Sequence, residues 1–114
     1  MLVKGVLHPD DAHQALAAGA AGVIVSNHGG RKLDTTVAKA AALPAVGDAL
    51  GGALPLLVDG GIRRGTDVLK ARALGADAVP LGRPQVMALA AGGAPAVAHL
   101  PRLLRDEFEI AMAL

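Results

Sequence analysis

The sequence predicts an α/β fold of four consecutive β-α units, a parallel sheet covered by helices. Two observations predict it. Strand-length apolar runs alternate with longer alanine-rich stretches along the whole chain. The runs are nearly continuous in apolar residues, the pattern of strands covered on both faces. Four such units make half of an eight-stranded barrel or a small open sheet, and spacing alone admits both.

The elements follow in order. Leu2 to Val6 is the first strand. His8-Pro9-Asp10-Asp11 opens a helix, with proline and acids in its first turn, and Ala12 to Ala18 continues it to Gly19. Gly22 to Val25 is a short buried strand, and the polar, glycine-rich stretch Ser26 to Asp34 is a loop. Val37 to Leu50 is helical in composition, with Pro44 as a dividing point and Gly51-Gly52 as its end. Leu54 to Val58 is the third strand, Asp59 to Gly65 a second glycine-rich loop, and Thr66 to Leu74 a helix with Thr66 as N-cap. Ala78 to Leu81 is the fourth strand, followed at once by Gly82-Arg83-Pro84. Two helical stretches, Gln85 to Ala91 and Ala96 to Ala113, complete the chain.

Composition bounds the function. At 114 residues the chain is one small domain or part of a larger one. Its 53% apolar content is largely alanine, with Phe108 the single aromatic residue, so the core buries little area per residue and modest stability is expected. Eleven Lys and Arg against ten Asp and Glu leave a net charge of +1, which makes no electrostatic case for nucleic acid or an anionic membrane. Without cysteine there are no disulfides, thiolate metal sites or cysteine nucleophile. That is compatible with a reducing compartment, and a cytoplasmic location is the expectation. The start, MLVKGVLHPDD, lacks a signal-peptide apolar core. The uncharged stretch Pro84 to Pro101 is interrupted by Gly92-Gly93, Pro95 and His99, unlike a membrane span. A soluble chain is expected.

In β/α barrels, ligands sit where strands end, so the polar residues at those positions carry the functional reading. Lys4 in the first strand is either a surface lysine on an edge or a cation facing a site. Ser26-Asn27-His28-Gly29-Gly30-Arg31-Lys32-Leu33-Asp34 follows the second strand. A neutral imidazole there could accept a proton, and a guanidinium could hold a carboxylate in a two-pronged contact. By residue type alone this is equally a polar loop with a hydrogen-bonded histidine. Asp59-Gly60-Gly61-Ile62-Arg63-Arg64-Gly65 precedes a helix, an arrangement of glycine amides, helix N-terminus and arginine that suits a phosphate, or else a tight turn with solvated arginines. Gly82-Arg83-Pro84 is a second loop of this kind on the next unit. Barrel phosphate sites often use the last two strands, which suggests that these are the last four units of a barrel. His8, His13 and His99 are expected on or near solvated helices. Arg102, Arg105, Asp106, Glu107 and Glu109 are expected on the wet face of the last helix, with Leu103, Leu104, Phe108 and Ile110 partly inside. No group of residues has metal-ligand spacing.

The nine residues Ser26 to Asp34 closely resemble the signature of the FMN-dependent 2-hydroxy-acid oxidases and dehydrogenases, a family that includes glycolate and lactate oxidases, flavin-type L-lactate dehydrogenase and mandelate dehydrogenase. Asp59 to Val68 resembles that family's second signature, Gly82-Arg83-Pro84 its third, and Leu104 to Glu109 its late helix. The resemblance covers essentially the whole chain and implies the C-terminal half of a (β/α)8 barrel over residues 1–114. It implies His28 as the base, Arg31 as the carboxylate clamp, and Lys4 beside the flavin's N1–O2 edge. It implies Ser26 as a flavin contact, and Asp59, Gly60, Gly61, Ile62, Arg63, Gly82 and Arg83 as the ribityl and phosphate cradle. FMN is the implied cofactor and a small 2-hydroxy acid the implied substrate.

Departures are specific. Lys32 stands where glutamine is common, and Pro80 stands in the fourth strand where an aliphatic residue is usual. The family's earlier barrel units supply flavin-ring contacts, a substrate tyrosine and a second substrate arginine, and this chain has no tyrosine. Two readings stay open: the catalytic half of a 2-hydroxy-acid oxidoreductase, or a non-catalytic half-barrel that binds FMN or phosphate. In either, open sheet edges invite self-association or pairing with the other barrel half.

Overall fold

The apolar run Leu2–Val6 forms β1, and Gly22–Val25 forms β2, as the sequence predicts. The computed structural model describes all of residues 1–114. β3 covers Leu56–Val58, and the sheet is parallel in the order β1-β2-β3. β3 begins two residues later than expected because Pro55 has no N–H to donate, although its carbonyl still accepts from Val23 N at 2.9 Å.

The expected fourth strand does not form. Residues 78–81 join the sheet only through a single parallel bridge, Leu57 to Ala78. Pro80 explains this: it removes a ladder donor two residues after the bridge. The Asp77 carboxylate takes over part of the pairing by accepting from Leu56 N at 2.9 Å.

The helices are α1 (Pro9–Ala17), α2 (Lys39–Leu50), α3 (Gly65–Ala73) and α4 (Arg83–Ala113). His8 caps α1, with Nδ1 accepting from Asp10 N at 3.2 Å. Pro44 does not divide α2; it lies on an exposed face, as does Ala40, whose carbonyl loses its helical partner there and is left to water. The two expected late helices form one helical stretch, α4, broken by non-helical backbone at Gly92 and Gly93.

The N-cap of α3 is Arg64, not Thr66. Arginine cannot accept a hydrogen bond, so the capping comes from the other direction. Asp67 reaches back and accepts from Arg63 N at 3.0 Å and Arg64 N at 3.1 Å. Those bonds, Arg63's first, outweigh a burial effect that would raise it and hold the Asp67 carboxyl below the usual range; the charges of Lys70 and Arg64 add to this.

The core lies between the sheet and α1 and α2. Val23, Val25, Leu56 and Val58 meet Ala12, Ala15, Leu43, Val46 and Leu50 there. Alternation along the strands sends Lys4 and Ile24 to the opposite face. α3 packs on α4 at a close crossing. Gly65 makes that crossing possible, because a Cβ there would collide with the backbone of Glu107 and Phe108. Its N–H donates to Glu107 Oε2 at 2.7 Å. Glu107 is thus a tertiary contact rather than part of a wet face, while Leu103 and Ile110, expected partly inside, are exposed at 46% and 63%. No helix is long and apolar enough to cross a membrane.

Two outcomes follow. Gly65→Ala should lower unfolding free energy by about 1–3 kcal/mol through overpacking, read from the urea midpoint. A lowered folded pKa at Asp67 means that its charge stabilises the fold above the ordinary carboxylate range, and that this stabilisation is lost as pH falls through the folded value. Asp67→Asn should therefore be less stable than wild type at neutral pH, and the gap should close on acidification; a gap independent of pH would contradict the assignment.

Candidate active site

The C-terminal ends of the three strands and the segment after residue 80 surround one cleft of about 930 Å³. Of the eleven site residues read from the sequence, ten line it: Lys4, His28, Arg31, Asp59, Gly60, Gly61, Ile62, Arg63, Gly82 and Arg83. Ser26 lies beneath it, 1% exposed. A smaller groove of about 380 Å³ at the other end of the strands, between α2 and α3, contains no cation.

The floor is polar and tightly bonded. Lys4 Nζ lies 2.7 Å from Asp59 Oδ2 and donates to Ser26 Oγ at 2.9 Å. Burial pushes the Asp59 carboxyl up, but the Lys4 ammonium bonded to it, the Ser26 hydroxyl and the charges of Lys4 and Lys39 outweigh that and hold it below the usual carboxylate range. Asp59 Oδ1 is buried with no hydrogen-bond partner. The Ser26 hydroxyl, which accepts from Lys4 and His28 N, keeps a proton of its own and lies beside this carboxylate.

Lys4 and His28 are brought together by a bulge in β1. Lys4 pairs with Ile24 and Val6 with Val25, so Gly5 is an extra residue in the ladder, with φ of 105°. The His28 imidazole rests on Gly5; a Cβ built there would lie 3.0 Å from Cε1.

The loop after β2 turns through a short 3₁₀ segment, His28–Gly30. Ser26 Oγ accepts from His28 N at 3.1 Å, and Asn27 Oδ1 accepts from Gly29 N at 3.1 Å. His28 itself has φ of 54°, the one non-glycine residue in the left-handed region. Arg31 is exposed at the cleft rim, and its Nε donates to the His28 carbonyl at 3.4 Å.

The loops after β3 and residue 81 differ in what they offer an anion. Ile62 anchors the first by burying its side chain in the core. The amides of Arg63, Arg64 and Gly65 are already committed to Asp67 and Glu107, so the N-terminus of α3 is less open than the sequence implies. α4 has no acid in its first turn and no side-chain cap, which leaves the Gly82-Arg83 segment free to bind. The Arg83 guanidinium approaches Gly29 across the cleft.

Four cations, Lys4, Arg31, Arg63 and Arg83, face a single carboxylate, Asp59, among the lining residues. The cleft is therefore built for anions. It combines an imidazole, a guanidinium at the rim and two backbone-rich loops, with no cluster of metal-binding side chains. Residue types alone missed Gly5, Asn27, Lys39 and Met87. Met87 lines the cleft one turn into α4, and Lys39 Nζ donates to Asn27 Oδ1 at 3.0 Å from below. The one signal for Lys39 was a basic residue at a helix start, where acids are favoured.

The chain is similar to known proteins along its whole length. A family model described as FMN-dependent dehydrogenase matches residues 1–114. The chain is 58% identical over 111 residues to an L-lactate oxidase of Alicycliphilus denitrificans, covering 97% of this chain and 30% of the relative. It is 58% identical over 114 residues to glycolate oxidase 1 of Zea mays, covering 100% of this chain and 31% of that one. Among solved structures, a putative lactate oxidase of Pediococcus acidilactici aligns with a TM-score of 0.94 at 47% identity, over 98% of this chain and 31% of that chain. A mandelate oxidase with benzoyl-formic acid aligns with a TM-score of 0.96 at 51% identity, over 99% and 34%. The chain thus spans roughly a third of the length of these relatives. Matched along its whole length by the family model and by these relatives, the chain belongs to the FMN-dependent dehydrogenase family.

Proposed function

We propose that this chain provides the last four β-α units of a (β/α)8 barrel that oxidises a small 2-hydroxy acid to the 2-oxo acid with FMN. The carrying observation is the convergence of His28, Arg31, the Lys4–Asp59 pair and the two glycine-arginine loops on one anion-seeking cleft. The relatives named lactate, glycolate and mandelate oxidases support the substrate class.

The residues fit the cofactor. Asp59 lines the cleft and keeps one oxygen without a partner within hydrogen-bond distance, so its carboxylate would accept from a ribityl hydroxyl. Gly60, Gly61 and Gly82 offer backbone without side chains, and Arg63 and Arg83 offer charge to a phosphate. Lys4 would put a cation at the flavin's N1–O2 edge. When bound, the flavin supplies the electron acceptor. Arg31 binds the substrate carboxylate and orients it. His28 would take one proton from the substrate, from carbon or from the hydroxyl; loss of two protons and two electrons in all gives the 2-oxo acid, the electrons going to FMN when it is bound. The outer edge of β1 and the segment at residues 78–81 are where the other barrel strands, or a second copy, would pair.

The test is spectroscopic. FMN added to the purified protein should give a bound yellow species that bleaches anaerobically with L-lactate, glycolate or mandelate. His28→Ala should keep FMN bound and slow bleaching by roughly 10²–10⁴-fold. Undiminished bleaching would remove His28 from the role of base. Flavin that binds but never bleaches would favour the binding-only half-barrel, a reading suggested by the limited share of its relatives that the chain spans.

A further inference from the structure

Lys39 is the first residue of α2, where the positive end of the helix disfavours a cation. Ala38, the N-cap, makes no side-chain bond, and the first turn has no acid. A local rule is broken with no gain to the helix, which directs attention to what the side chain does elsewhere. Its Nζ donates to Asn27 Oδ1 at 3.0 Å. It also lies against Gly60, where a Cβ would come within 2.6 Å of Nζ. One side chain from an outer helix thus touches two of the loops that build the cleft.

We propose that Lys39 is a positioning residue that clamps Asn27 and, through it, holds the 28–30 turn in the conformation that aims His28 into the cleft. The left-handed backbone of His28 is unfavourable for a residue with a side chain and persists only if its surroundings over-determine it. Two bonds do so. His28 N donates to Ser26 Oγ, which also accepts from Lys4, and Gly29 N donates to Asn27 Oδ1, which also accepts from Lys39. The amides of His28 and Gly29 are thus each held by an acceptor that a lysine also engages, while Gly30 N donates to the Asn27 carbonyl at 3.0 Å. The Lys39 ammonium and the Gly29 N–H can both only donate, so both select the Asn27 oxygen. Removing Lys39 leaves the weaker Gly29 bond alone to hold the Asn27 side chain, and the turn loosens. The charge of Lys39 also adds to the field that keeps Asp59 ionised.

The clamp depends on the preceding functional reading only for its kinetic consequence, so the test has two arms. In the full-length protein without flavin, Lys39→Met should speed Gly29 amide exchange roughly tenfold, while Lys39→Arg keeps protection. Thermal stability of Lys39→Met should stay equal or rise, because a cation leaves the positive helix end. With FMN bound, flavin reduction should fall roughly tenfold, with the substrate KM little changed, and Asn27→Ala added to Lys39→Met should cost little more. Gly29 exchange equal to wild type in Lys39→Met would overturn the clamp whatever the activity. A loss of protection matched by a loss of global stability would also overturn it, as the mark of a merely structural lysine. A wild-type protein that takes no electrons from any 2-hydroxy acid would sink the functional reading and leave the exchange result standing.

Discussion

Lys4 and Asp59 meet across the end of β2, 2.7 Å apart, with Ser26 beneath them. This contact joins the first strand to the third, so the loop between them is pinned from both sides. Its worth is geometric more than energetic. The Lys4 side chain is 40% exposed, and an ion pair open to water contributes little net stability. What it fixes is the Ser26 hydroxyl, which in turn holds the His28 amide. The same pair leaves one oxygen of Asp59 without a donor, so the floor of the cleft is complete in charge and incomplete in hydrogen bonding.

The site is therefore layered. Val23, Val25, Leu56 and Val58 bury one face of the sheet against α1 and α2, and this fixes where the strands stop. The polar residues immediately beyond those ends inherit that precision. Loops placed by rigid strands can carry backbone strain such as that of His28, because their anchors do not yield. The anion-seeking character follows from chain order: each strand end contributes at least one cation or bare glycine backbone, and Asp59 alone opposes them.

Much of this was legible in the residues. β1 and β2 follow their apolar runs residue for residue, because no proline interrupts them and the bulge at Gly5 is absorbed within β1. The site residues gathered as expected because the ends of parallel strands necessarily adjoin. The failures have local causes. Pro55 and Pro80 each remove a donor, which delays β3 and prevents a strand at 78–81. The cap of α3 was misread because the usual clue is a residue before the helix, whereas here Asp67 acts from within it. Glu107 looked solvated because helix periodicity cannot reveal a bond to Gly65, forty-two residues away in sequence. Lys39 was hidden for the same reason, since its partners lie on other loops.

The bulge at Gly5 carries one more consequence. It sits on β1, the outermost strand of this sheet, and it is the surface on which the His28 imidazole rests. Any strand laid along that open edge must accommodate the same irregular residue, so its hydrogen bonds would stiffen or shift the ledge under the ring. The ledge under the imidazole is thereby also part of the sheet's open edge.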